Sequence, residues 1–93
     1  MHEMGIACSV LDAAHKELRA YPSQRVSKIG LRIGEFAGID GDSLRFCFEA
    51  IVKSTEPEPI ALDIEWSRAD GSRRGDELEI AYLELEEIRE VET

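Results

Sequence analysis

The first three residues, Met1-His2-Glu3, place a free amine, the His2 amide nitrogen and the His2 imidazole in succession. These three groups can close adjacent five- and six-membered chelate rings on one metal ion, and the Glu3 amide can supply a fourth nitrogen in the same plane. Planar nitrogen ligation suits Ni(II) or Cu(II), whereas structural Zn(II) prefers tetrahedral sites rich in thiolate and imidazole. Deprotonating an amide needs a strongly polarising ion. The amine (about 7.7–8.0) and the imidazole (about 6.5) must also lose protons, so binding strengthens as pH rises. Because histidine is a bulky second residue, Met1 is expected to be retained, and any extension ahead of it removes the amine. A second reading of the same residues stays open: His2 lies near a helix start, where Glu3 complements the helix dipole.

Other residues with chemistry on offer are less well placed. His15 begins three helical turns beyond His2, about 20 Å along a helix axis, which makes it a poor second ligand. Cys8 and Cys47 form no CxxC pair and fall within apolar periodic segments, so both are expected to be buried thiols without a structural disulfide. No Ser-His-Asp or Cys-His set stands out, and the carboxylates are scattered as solubilising charge. A small acid-base enzyme using Glu3 or Glu35 with His2 is the outlying alternative, and nothing suggests a pocket for it.

These residues must be positioned by one small domain of 93 residues, 43% of them hydrophobic. Eleven Lys and Arg against twenty Asp and Glu give a net charge of −9, which disfavours nucleic acid and anionic lipid as partners. No apolar run of about 18 residues and no basic-then-apolar leader is present, so neither a membrane span nor a secretory signal is expected, and a cytoplasmic address follows.

From residue 3 to about 21, Met4, Ala7, Cys8, Leu11, Ala14 and Leu18 recur at helical spacing, with Ile6, Val10 and Ala13 widening the stripe, and Pro22 closes the segment. Residues 25–35 alternate as a strand through Ile29, Leu31 and Ile33. Asp40 is a good N-cap for a helix over residues 41–53 whose stripe is Leu44, Cys47, Phe48 and Ile51, leaving Phe46 off it. A second strand carries Ile60, Leu62, Ile64 and Trp66. In residues 77–87, Leu78 and Ile80 share one parity and Leu83 and Leu85 the other, so an extra residue, a β-bulge, is expected near Ala81-Tyr82. The fold class is thus α/β, two helices on one face of a three-stranded mixed sheet. Two strand orders are possible, and the length of the last strand favours it as the centre, antiparallel to both others. The second strand is then an edge, and its outward Asp63 and Glu65 point to a monomer.

Several stretches together resemble one family. Met1-His2-Glu3-Met4-Gly5-Ile6-Ala7, Arg32-Ile33-Gly34-Glu35-Phe36-Ala37-Gly38-Ile39, Leu44-Arg45-Phe46-Cys47-Phe48-Glu49 and the closing Glu77-Leu78-Glu79-Ile80 with Leu83-Glu84-Leu85 are similar to the HypA/HybF nickel-insertion accessory proteins of [NiFe] hydrogenase maturation. The resemblance implies a non-enzymatic metallochaperone that binds Ni(II) as cargo through Met1, His2 and Glu3. It also implies that a HypB-type GTPase and the hydrogenase large subunit are partners. One departure stands out. The family carries a zinc domain with two cysteine pairs between the last two strands, and residues 67–76 here are a short loop with no zinc ligand, through natural loss or excision. The expectation is a single nickel-binding domain, residues 1–93, with no zinc. The alternative is a metal-free protein-interaction module built on the same fold.

If nickel is cargo rather than scaffold, chelation should leave the far-ultraviolet circular dichroism unchanged and move the thermal midpoint only by the mass-action contribution of binding. A collapse of the spectrum on chelation of metal-loaded protein would reveal a structural ion instead.

Overall fold

The structure, a computed structural model, describes residues 2–88. Its elements are α1 (Glu3–Leu18), β1 (Gln24–Gly34), α2 (Gly41–Thr55), β2 (Ala61–Ser67) and β3 (Leu78–Glu87). The expected end of the first helix at residue 21 proves three residues late. Beyond Leu18 the chain tightens into three-residue turns, Ala20 N donating to Glu17 O and Tyr21 N to Leu18 O, before Pro22. Helix α2 runs two residues past its expected end and is capped as its sequence implies. Asp40 is extended, and its Oδ1 accepts from the amides of Asp42 (3.0 Å) and Ser43 (3.2 Å).

The sheet order is β2-β1-β3, with β1 parallel to β2 and antiparallel to β3. This overturns the expectation of a central β3, and charge supplies the reason. The outward residues of both edge strands are acidic, Asp63 and Glu65 on β2 and Glu79, Glu84 and Glu86 on β3, whereas β1 presents Arg25, Lys28 and Arg32. With β3 in the middle its glutamates would face those of β2, and like charges opposite each other destabilise a sheet. With β1 in the middle, Arg32 reaches Glu79 at 2.9 Å and Glu65 at 3.7 Å, and Arg25 pairs with Glu58 and Glu86. Burial agrees: Ile29, Leu31 and Ile33 are buried under the helices, and even outward Gly30 and Gly34 are covered. The expected bulge is present. Leu31 pairs with Ile80 and Gly30 with Tyr82, which leaves Ala81 as the extra residue and returns Leu83 opposite Ile29.

The core gathers Ala7, Val10, Leu11 and Ala14 of α1, Leu44, Phe48 and Val52 of α2, and the inward residues of β1, with Ile60 and Leu62. Ile64 and Leu83 are partly buried against it. The buried-thiol expectation fails for Cys8, which is exposed, and Cys47 is half-buried against the core. Cys8 belongs to the Met4-Cys8-Leu11-His15 row on the flank of α1, and of these only Leu11 is buried. Phe46 lies on the solvent side of α2, 72% exposed.

On the outer face Tyr82 reaches across the whole sheet. Its ring lies over Gly30, and its hydroxyl donates to Asp63 Oδ2 at 2.7 Å, so one side chain of β3 is tied to β2 across the central strand. A Cβ at Gly30 would occupy the space of that ring, which is why glycine interrupts an otherwise branched strand. The bond to the Asp63 carboxylate, aided by desolvation, raises the Tyr82 hydroxyl above its ordinary pKa. A raised folded-state pKa contributes stability below the unfolded phenol value of about 10 and loses it as pH rises through the folded value. Gly30→Ala is therefore expected to destabilise by more than the few tenths of a kcal/mol usual for a surface change, and less so in a Tyr82→Ala background. Denaturant titration of the double-mutant cycle checks this; equal losses in both backgrounds would show that the ring is not what excludes a side chain.

Candidate metal centre

His2 is the N-cap of α1, extended at φ −89° and ψ 101°, and its exposed imidazole makes no capping hydrogen bond and no other among the described residues. A helix leaves its first amides without intrahelical partners, and here the backbone bonding begins with Ile6 N donating to His2 O at 3.2 Å. The amides of His2 and Glu3 can thus turn towards a metal without breaking the helix ladder. The positive end of α1 opposes a bare dication, but two deprotonated amides cancel that charge. Met1, the source of the amine, lies outside the described residues.

Glu3 is held by tertiary structure. Its Oε2 accepts from the Asp40 amide at 3.4 Å, joining the start of α1 to the N-cap of α2. The Asp40 side chain caps its own helix while its main chain holds Glu3, so both helix N-termini are anchored through one residue. Sequence reasoning missed this tie, since 37 positions separate the partners and no local pattern signals it. Around the same end lie the last residues of β1 and β2. The Trp66 ring lies against Gly41, the first residue of α2, and stays half exposed.

The loop between β2 and β3 folds onto this end as well. Phe36 N donates to Gly75 O at 2.6 Å, Gly34 N to Glu77 O at 2.8 Å, and Glu35 Oε2 accepts from the Ala69 amide at 2.9 Å. Gly75 adopts φ +84°, a conformation side chains disfavour. Asp70 closes the turn by accepting from the Ser72 amide and hydroxyl and from the Arg73 amide; these bonds, Ser72's first, hold its carboxyl below the ordinary aspartate range. Glu35 is thus a loop-holding carboxylate, away from His2 in the bonding pattern. His15 lies at the opposite end of α1, its Nε2 3.0 Å from Glu56 Oε1. Among the described residues no three His, Cys, Asp or Glu side chains group to hold a metal.

A family model described as HypA, hydrogenase/urease nickel incorporation, metallochaperone, matches residues 1–72. The hydrogenase maturation factor HypA of Chlorobium limicola is 48% identical over 65 residues, 70% of this chain and 56% of that protein. Its counterpart from Methanopyrus kandleri is 38% identical over 68 residues, 73% of this chain and 48% of that one. The chain thus spans about half the length of these relatives. In fold it is similar to the solution structure of the Ni metallochaperone HypA from Helicobacter pylori, with TM-score 0.67 and 16% identity over 97% of this chain and all of that one. It is also similar to a second HypA solution structure, with TM-score 0.69 and 18% identity over 90% of this chain and 95% of that one.

Asp40→Ala should lose about 1 kcal/mol of stability as the α2 cap disappears, and Asp40→Asn should recover most of it. Chemical denaturation reads both. Because Glu3 binds the main chain of residue 40, its anchor should survive either change; a combined Asp40→Ala and Glu3→Gln loss well short of the sum of the two single losses would contradict that separation.

Proposed function

The chain belongs to the HypA family, and from that premise we propose that it is a nickel-binding metallochaperone domain whose cargo is held by Met1, His2 and Glu3. The amine, the His2 and Glu3 amides and the His2 imidazole form the planar donor set. The observation that carries this reading is the state of residue 2: an N-cap with an unengaged ring, followed by amides that the helix itself does not use. The Glu3 side chain contributes by tethering the terminus to α2. Delivery to [NiFe] hydrogenase, with a HypB-type GTPase and the hydrogenase large subunit as partners, is the corresponding cellular role. The cytoplasmic, monomeric state belongs to the same reading, and among the described residues no helix is long and apolar enough to cross a membrane.

We further propose that this chain works as one domain without the zinc module. The family match stops at residue 72, within the β2–β3 connection, and that connection contains neither cysteine nor histidine. A second reading, a metal-free interaction module, is favoured by one feature, the open groove between α1 and β3 lined by Val10, Ala13, Leu18, Ile80 and Leu83.

Titration calorimetry with Ni(II) on untagged protein separates the two readings. Nickel should bind with affinity that rises with pH, because the amine, imidazole and amides must shed protons. His2→Ala, and separately any extension ahead of Met1, should weaken binding at least about tenfold, the order expected when a ligand or its support is lost. Glu3→Gln should cost less. Unchanged affinity in both of the first two forms would remove Met1 and His2 from the site, and an absence of Ni(II) binding to the unaltered protein would leave the metal-free reading standing.

A further inference from the structure

Two contacts fix the register of the helices. At their starts Glu3 of α1 accepts from the Asp40 amide of α2, and at their ends His15 of α1 meets Glu56 at the C-cap of α2, so the helices run side by side in the same direction. Cys8 lies seven residues before His15, and Cys47 seven after Asp40. Seven residues are nearly two whole turns, so Cys8 shares the helix face of His15, which touches Glu56; on α2 the Arg45 guanidinium reaches Leu62 O of β2, and Cys47, about 200° around the helix from Arg45, lies on the opposite flank, towards α1. Counted from the Glu3–Asp40 tie at about 1.5 Å per residue, Cys47 lies about 3 Å beyond Cys8. Counted from the His15–Glu56 tie it falls about 3 Å short of it, so the two stand at one level. Helix axes packed about 8–10 Å apart bring Cα atoms that face each other to within about 6 Å, inside the range a disulfide spans. Both thiols are free, Cys8 exposed and Cys47 half-buried.

We propose that Cys8 and Cys47 are a thiol pair that closes reversibly into a disulfide bridging α1 and α2. Exposed Cys8 is the attacking thiol and half-buried Cys47 the resolving one. The Cys8 thiolate attacks one sulfur of a small disulfide such as oxidised glutathione, forming a mixed disulfide and releasing one glutathione thiolate. The Cys47 thiolate then attacks the Cys8 sulfur, the intramolecular bond forms and the second glutathione leaves. Two thiols are oxidised, one glutathione disulfide is reduced to two thiols, and the two cysteine protons pass to the departing glutathiones. The bond would fasten the helix that begins at His2 to its neighbour. A pair of this kind is a redox-responsive clip, the form disulfides take in reducing compartments. It does not depend on nickel binding.

The test is incubation of the full chain with reduced and oxidised glutathione at defined ratios, followed by intact and peptide mass spectrometry under non-reducing conditions. The expected product is a monomer lighter by two hydrogens, with the Cys8 and Cys47 peptides joined and a thermal midpoint raised until reductant is added. Cys47→Ser should stall as the mixed glutathione adduct of Cys8, whereas Cys8→Ser, which keeps only the half-buried thiol, should take up glutathione far more slowly. Two glutathione adducts on the unaltered chain, a covalent dimer, or thiols that stay reduced under fully oxidising conditions would each overturn the pairing.

Discussion

The place of β1 at the centre of the sheet is the constraint on which the rest depends. One face of this strand must be apolar to receive both helices, and the other must be basic because the strands on either side are acidic. Exposed ion pairs such as Lys28 with Glu84 contribute little individually. Their effect on topology is larger than their effect on stability, because the alternative order sets rows of carboxylates against each other. A net charge of −9 is thereby compatible with a three-stranded sheet. The few cations of the sheet are concentrated where each can serve two neighbours, as Arg32 does.

The parallel β1-α2-β2 unit has a consequence for the terminus. It returns the start of α2 to the end of the sheet where β1 and β2 finish, and α1 packs alongside α2 in the same sense. Both helix N-termini therefore meet at one end, and Asp40 serves as the shared anchor. Residues 2 and 3 are set by helix geometry and by a tertiary hydrogen bond, so the proposed site at this terminus would need less ordering on binding than one on an unsupported tail.

The β2–β3 connection packs at the same end, and Asp70, Gly75 and Glu35 give it internal bonding. These bonds satisfy the backbone at the ends of β1 and β2. Residues 67–76 thus close the fold as a structured turn, and the pairing of β3 with β1 is preserved beyond it.

By itself the sequence determined the kinds and order of the elements, the Asp40 cap, the inward faces of β1 and α2 and the bulge at Ala81, because periodicity, capping chemistry and phase breaks are local; the proposed donor set at Met1-His2-Glu3 is likewise read from adjacent residues. Strand order was also encoded, in the alternation of acidic, basic and acidic strands, but reading it requires comparing segments that lie far apart. Tertiary structure alone decided that Glu3 binds the Asp40 amide, that Tyr82 spans Gly30 to reach Asp63, and that Cys8 is exposed rather than buried. Each of those outcomes follows from how two helices and three strands are rotated and offset when their apolar faces close. A helix stripe wide enough to include both Val10 and Cys8 does not specify which flank meets the sheet; packing against β1 and α2 makes that choice.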